Sequence, residues 1–123
     1  MSELTPSEPY ILVNTFWPVG GGIDALIAFQ LAEMREMGTE AAAFGWLGNE
    51  VYRSHDGTRL IVVTRFRSAE AHERWAETER TQQHFQELTS LVTKVLSVPV
   101  AFVAGHGDSP LGCGANRTRP GVP

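Results

Sequence analysis

The sequence predicts an α+β domain of ferredoxin-like order, β-α-β-β-α-β, with helices on one face of a four-stranded antiparallel sheet. Three observations carry this reading. YILVNTFWPV at 10–19 is rich in β-branched and aromatic residues and opens the fold as a strand. An Asp-Gly turn within HDG, 55–57, joins two further strand-like runs. Helically spaced apolar residues occur twice, once before that hairpin and once after it.

The first strand is apolar on both faces. Tyr10, Leu12, Asn14 and Phe16 share one side, and Ile11, Val13, Thr15 and Trp17 share the other. A strand of that kind is covered on both sides. Pro18 and the glycines at 20–22 end it. Ile23, Leu26, Ile27, Leu31 and Met34 then recur at helical spacing, and Gly38 is the expected C-terminal stop. AAFGWLGNEVYRS, 42–54, reads as the second strand, with Gly45 and Gly48 marking a bulge or a close backbone approach. TRLIVVTRFR, 58–67, reads as the third. Ser68 is placed to cap a helix over 69–77, and Thr78 to cap the next. The spacing of Phe85, Leu88, Leu91, Val92 and Val95 predicts that this further helix runs over 80–97, followed by a fourth strand at 98–105. The domain is thus expected at 9–105, between an arm at 1–8 and a flexible Gly/Pro-rich tail at 106–123.

At 123 residues the chain is long enough for one domain. A net charge of −4, with no Lys/Arg cluster, argues against nucleic acid or an anionic membrane as partner. The acidic N-terminus lacks a signal-peptide pattern, and no apolar run reaches membrane-spanning length. Cys113 is the only cysteine, so no intrachain disulfide forms. A cytoplasmic location is expected.

Familiar chemical motifs are missing. The glycines at 20–22 lack the pattern of a phosphate loop and read as a strand-to-helix turn. His55 and His106 are expected at the surface, without zinc-ligand spacing. Three residues stand out instead. Asn14 is a lone amide in an apolar strand, and a buried amide needs hydrogen bonds. Trp75 lies on the helix side expected to face the sheet. His84 precedes Phe85 and shares a face with Leu88 and Leu91. Core packing accounts for each one singly. All three converge on one cavity if the sheet and its helices pack as predicted.

VNTF in the first strand, DGTRLIVVTRFRSAEAHERWAE from the hairpin into the Trp-bearing helix, and QQHFQELTSLV after it resemble the antibiotic biosynthesis monooxygenase superfamily. The resemblance runs from about Tyr10 to Gly105. It implies a dimeric α+β barrel, a homodimer in which the sheets of two copies face each other. One branch of that superfamily oxidises polycyclic aromatic polyketides without a cofactor, using a strand Asn and a helix Trp, and Asn14 and Trp75 look like those residues. A second branch degrades heme with a strand Asn, a helix Trp and an iron-ligating His, and Asn14, Trp75 and His84 match that trio in type and order. Phe66 stands where many relatives carry Trp. No arginine in the later helix clearly matches the one that polyketide oxygenases often recruit.

Three readings follow from the resemblance. In the first, the chain is a cofactor-independent monooxygenase that oxidises a hydrophobic, electron-rich phenol or anthrone with O2, as in antibiotic biosynthesis. Asn14 would hold the oxyanion, Trp75 would form the wall for the rings and His84 would be the base. Leu12, Phe16, Phe66, Phe85 and Leu88 are expected to complete the substrate cavity. In the second, heme is bound through His84. In the third, the chain is a non-catalytic dimeric binding protein.

Overall fold

The structure, a computed structural model, describes residues 9–107. The proposed arm at 1–8 and nearly all of the tail, Cys113 included, lie outside the described residues. The elements are β1 (Tyr10–Pro18), α1 (Ile23–Ala43), β2 (Trp46–Arg53), β3 (Leu60–Phe66), α2 (Ala69–Ala76), α3 (Glu79–Thr89) and β4 (Val92–Val100). The four strands form one antiparallel sheet in the order β2-β3-β1-β4, the ferredoxin-like arrangement predicted, with the second helical segment split in two. Among the described residues no helix is long and apolar enough to cross a membrane.

The register decides which side chains meet. Asn14 stands between Val62 on β3 and Ser97 on β4. Leu12 stands between Thr64 and Pro99, and Phe16 between Leu60 and Val95. Cross-strand partners share a face, so these rows point together toward the helices. The opposite face carries Ile11, Val13, Trp17, Ile61, Val63, Leu96, Val98 and Val100, an apolar centre bordered by Thr15, Glu50, Arg65 and Lys94. Lys94 lies over the Trp17 ring there, 4.7 Å from its centroid.

Under the helices the apolar residues separate into two clusters. Phe16, Leu26, Leu60, Val62 and Leu88 pack at one end. Ala41, Phe66, Ala71 and Trp75 pack at the other, with Tyr10, Met37, Phe44 and Trp46 against them. Local signals in the sequence account for most boundaries. Ser68 Oγ accepts from the Ala71 amide at 3.0 Å and starts α2. Thr78 Oγ1 accepts from the Thr81 amide at 3.2 Å and starts α3. The hairpin closes on Asp56 Oδ1, which accepts from the Thr58 amide and hydroxyl and from the Ser54 hydroxyl.

Two expectations need correction. Gly38 does not stop α1, which continues to Ala43, so β2 begins at Trp46 rather than at 42. A glycine inside a helix costs only about 1 kcal/mol, and the TEAAA that follows is helix-favouring enough to carry the helix on. The expected helix over 80–97 ends at Thr89, and β4 occupies Val92–Val100 rather than 98–105. Leu91, Val92 and Val95 fit helical spacing, but this β-branched run also completes the hydrogen bonds of β1, and tertiary pairing overrides a local periodicity.

Gly45 and Gly38 should respond oppositely to alanine. Gly45 has φ +113°, and a Cβ there would stand 2.9 Å from the Ala71 Cβ. Gly45→Ala should lower stability by about 1–3 kcal/mol. At Gly38 the nearest atom, on the Trp46 ring, would be an ordinary 3.5 Å away. Gly38→Ala should raise stability by about 0.5–1 kcal/mol. Urea denaturation of the two variants reads both signs.

Candidate active site

Between the sheet and the helices lies a cavity of about 590 Å³. Its floor is the sheet, with Leu12, Asn14 and Phe16 from β1, Val62, Thr64 and Phe66 from β3, and Ser97 from β4. Its roof is helical. Gln30, Glu33 and Met37 come from α1, His72 and Trp75 from α2, and His84, Phe85 and Leu88 from α3. Every residue singled out in the sequence therefore borders the same space. Phe85 is 46% exposed and stands at the mouth, whereas Trp75 is 6% exposed and belongs to the wall.

Asn14 does have a partner. The Ser97 hydroxyl donates to its Oδ1 at 2.5 Å, which leaves the Nδ2 protons available to a ligand. Trp75 packs its ring against Phe44, with centroids 5.3 Å apart. Its indole N–H has no protein acceptor among the described residues and is not sealed from the cavity. Trp46, by contrast, donates its N–H to Asn49 Oδ1 at 2.7 Å.

The feature missed in the sequence is Glu33. It lies on the buried stripe of α1 with Leu26 and Gln30, and its side chain is 9% exposed. Oε2 accepts from Arg80 at 2.9 Å, and Oε1 meets His84 Nδ1 at 2.8 Å. Burial pushes the Glu33 carboxyl upward, but hydrogen bonds from Arg80 and His84, with the charge they bring, outweigh it and hold the group below its ordinary value. An ionised carboxylate only accepts. When His84 carries a single proton, the carboxylate therefore holds that proton on Nδ1 and leaves Nε2 with its lone pair. The imidazole is also stacked on Phe29, with centroids 5.3 Å apart and planes inclined by 14°. It is held by position and by proton placement together.

His72 is the second missed group. It sits between Tyr10 and Phe66, with ring centroids 5.2 Å from each. Burial lowers its pKa, with Glu73 opposing, so the neutral form is favoured. Its spacing from Trp75, three residues along one helix, was the available signal. Among the described residues no group of three or more His, Cys, Asp or Glu side chains is arranged to hold a metal ion.

The sequence matches the family described as antibiotic biosynthesis monooxygenase over residues 9–88, from the residue before β1 to the end of the α3 cavity face. The chain belongs to that family. A monooxygenase-like function in general is what membership supports. No curated protein matches the chain by sequence. Solved structures of the same fold include a monooxygenase from the gene ActVA-Orf6 of Streptomyces coelicolor in complex with the ligand Nanaomycin D. It has 17% identity and a TM-score of 0.71, over 85% of this chain and 96% of that one. Rv0793 from Mycobacterium tuberculosis is similar at 23% identity and a TM-score of 0.66, over 80% and 99% of the two chains. Protein SO0527 from Shewanella oneidensis gives 23% and 0.65, over 76% and 90%. At these identities the likeness is one of fold.

The pairing of Glu33 makes the acid limb of stability predictable. Both Glu33 and His72 have folded-state pKa values below their unfolded ones. Each contribution is complete above the unfolded value and is lost as pH falls through the folded one. Stability should therefore fall first below the ordinary histidine value of 6.5 and again below the ordinary carboxylate value of 4.5. Glu33→Gln should cost about 1–3 kcal/mol at neutral pH and lessen the second fall, to which Asp56 also contributes because hydrogen bonds from Thr58 and Ser54 hold it below its ordinary value. Denaturation midpoints measured from pH 8 to pH 3 test this.

Proposed function

We propose that the chain is a cofactor-independent monooxygenase that oxidises an electron-rich polycyclic phenol or anthrone with O2. The observation that carries the reading is the meeting of Asn14, Trp75 and a carboxylate-oriented His84 at one apolar cavity. The fold neighbour with Nanaomycin D bound supports the ligand class.

For an anthrone the balance is substrate plus O2 giving quinone plus water. His84 Nε2 takes the proton from the ring carbon opposite the carbonyl, and Glu33 steadies the imidazolium that forms. The resulting anion is itself the reductant. Its electrons form a C–O bond to O2, giving a peroxide that takes up a proton. The remaining hydrogen on that carbon leaves as a proton while its C–H electrons form the second carbonyl and the O–O bond breaks, and the departing hydroxide leaves as water with that proton. Asn14 Nδ2 donates to the oxyanion of the deprotonated substrate. Trp75 supplies the flat wall, and the apolar lining excludes water, which raises the reactivity of the anion.

One observation also favours the heme reading. A histidine whose Nδ1 is tied to a carboxylate presents a basic Nε2, an arrangement suited to ligating iron. His84 would then hold the group that supplies the oxygen chemistry, with Asn14 and Trp75 shaping its pocket.

With purified protein, anthrone and O2, Asn14→Ala should slow turnover by about a hundredfold. His84→Ala should slow it by about a hundredfold or more. Unchanged turnover in both variants sinks the assignment. A Soret shift with micromolar heme that His84→Ala abolishes would move the reading to heme.

The apolar back face of the sheet supports a homodimer formed through it. Exposed Leu96, Val98 and Val100 are of the kind that needs cover. Light scattering should give about twice the chain mass of 13.5 kDa, and Val98→Lys should halve it.

A further inference from the structure

Gln30 is a buried amide without a protein partner. It is 7% exposed and lies on α1 one turn before Glu33. Among the described residues its side chain makes no hydrogen bond, yet neither polar atom is sealed off, and the residue borders the cavity. Polar groups buried this deeply are met by some partner in folded proteins, and here the open side is the ligand space. Asn14 approaches the same space from the sheet.

Charge in the cavity points the same way. Among its lining residues there is no lysine or arginine. The lining carboxylate, Glu33, is already saturated by Arg80 and His84. Arg80, the cation of α3 nearest this space, is turned to Glu33 and Glu36. A ligand ammonium would find Glu33 already paired, and a ligand carboxylate would find no lysine or arginine.

We infer that Gln30 is a specificity-determining residue that hydrogen-bonds a second polar group of the ligand, apart from the one Asn14 holds. The cavity thereby selects uncharged ligands that are polar at two points. The amide offers a donor and an acceptor, so the second group is a carbonyl or a hydroxyl. The inference rests on the flat aromatic ligand of the proposed function and adds what that ligand must carry.

Anaerobic tryptophan-fluorescence titration separates it from the reaction. The probes are 9,10-anthraquinone, with carbonyls on opposite edges, and anthrone, with one. Neither turns over without O2. Wild type should bind anthraquinone more tightly by about threefold to tenfold, and Gln30→Leu should erase that preference while leaving anthrone affinity within about twofold. Gln30→Met, which keeps the length and helix propensity of the side chain but no polar atom able to bond a carbonyl strongly, should likewise erase the preference and serves if the leucine variant does not fold. No preference in wild type, a preference that survives Gln30→Leu, or an equal loss for both probes overturns the inference. No binding of either probe overturns it together with the ligand class. The expected ratios without aerobic turnover of anthrone would keep the inference and sink only the reaction.

Discussion

A carboxylate largely withdrawn from bulk water sets the terms for this cavity. Glu33 is carried under the helices by the same stripe of α1 that buries Leu26 and Ala41. An ionised group in that position is tolerable only when its oxygens are satisfied. Arg80 and His84 satisfy them, and both come from α3. The pairing therefore docks α3 against α1 across the cavity roof and sets the imidazole at one angle. It also decides which ring nitrogen faces chemistry. Positioning and proton placement come from one electrostatic requirement.

The sheet supplies the complementary half. Its register stacks Phe16 with Leu60 at one end and Tyr10 with Phe66 at the other. The rows between them hold Asn14 with Ser97 and Leu12 with Thr64. Between those ends the sheet presents Asn14, Ser97 and Thr64 to a chamber whose roof carries Gln30 and Glu33.

Much of this was legible in the sequence, and the failures have physical causes. β1 declared itself by being apolar on both faces, and Asn14 by interrupting that pattern. The hairpin and both helix caps followed from short-range hydrogen-bonding chemistry at Asp56, Ser68 and Thr78, which depends little on the rest of the chain. β4 was obscured because its apolar residues fit two periods, and only the open edge of β1 decides between them. α1 was read from Ile23, Leu26, Ile27, Leu31 and Met34, of which Leu26 is fully buried but Leu31 is 41% exposed. The true inward stripe is Leu26, Gln30, Glu33, Met37 and Ala41. Its two polar members made it look like a solvent face. Recognising Glu33 as buried required Arg80 and His84, which are 47 and 51 residues away.

The separation of the apolar residues into two clusters has an evolutionary consequence. Folding free energy is concentrated at the ends of the chamber, in Leu26, Leu60 and Val62 on one side and Phe66, Ala71 and Trp75 on the other. Positions such as Thr64, Gln30 and Ser97 border the cavity and belong to neither cluster. Substitutions there can redraw what is recognised while the scaffold keeps its stability. Such a division lets selection, natural or directed, explore new chemistry on an unchanged frame.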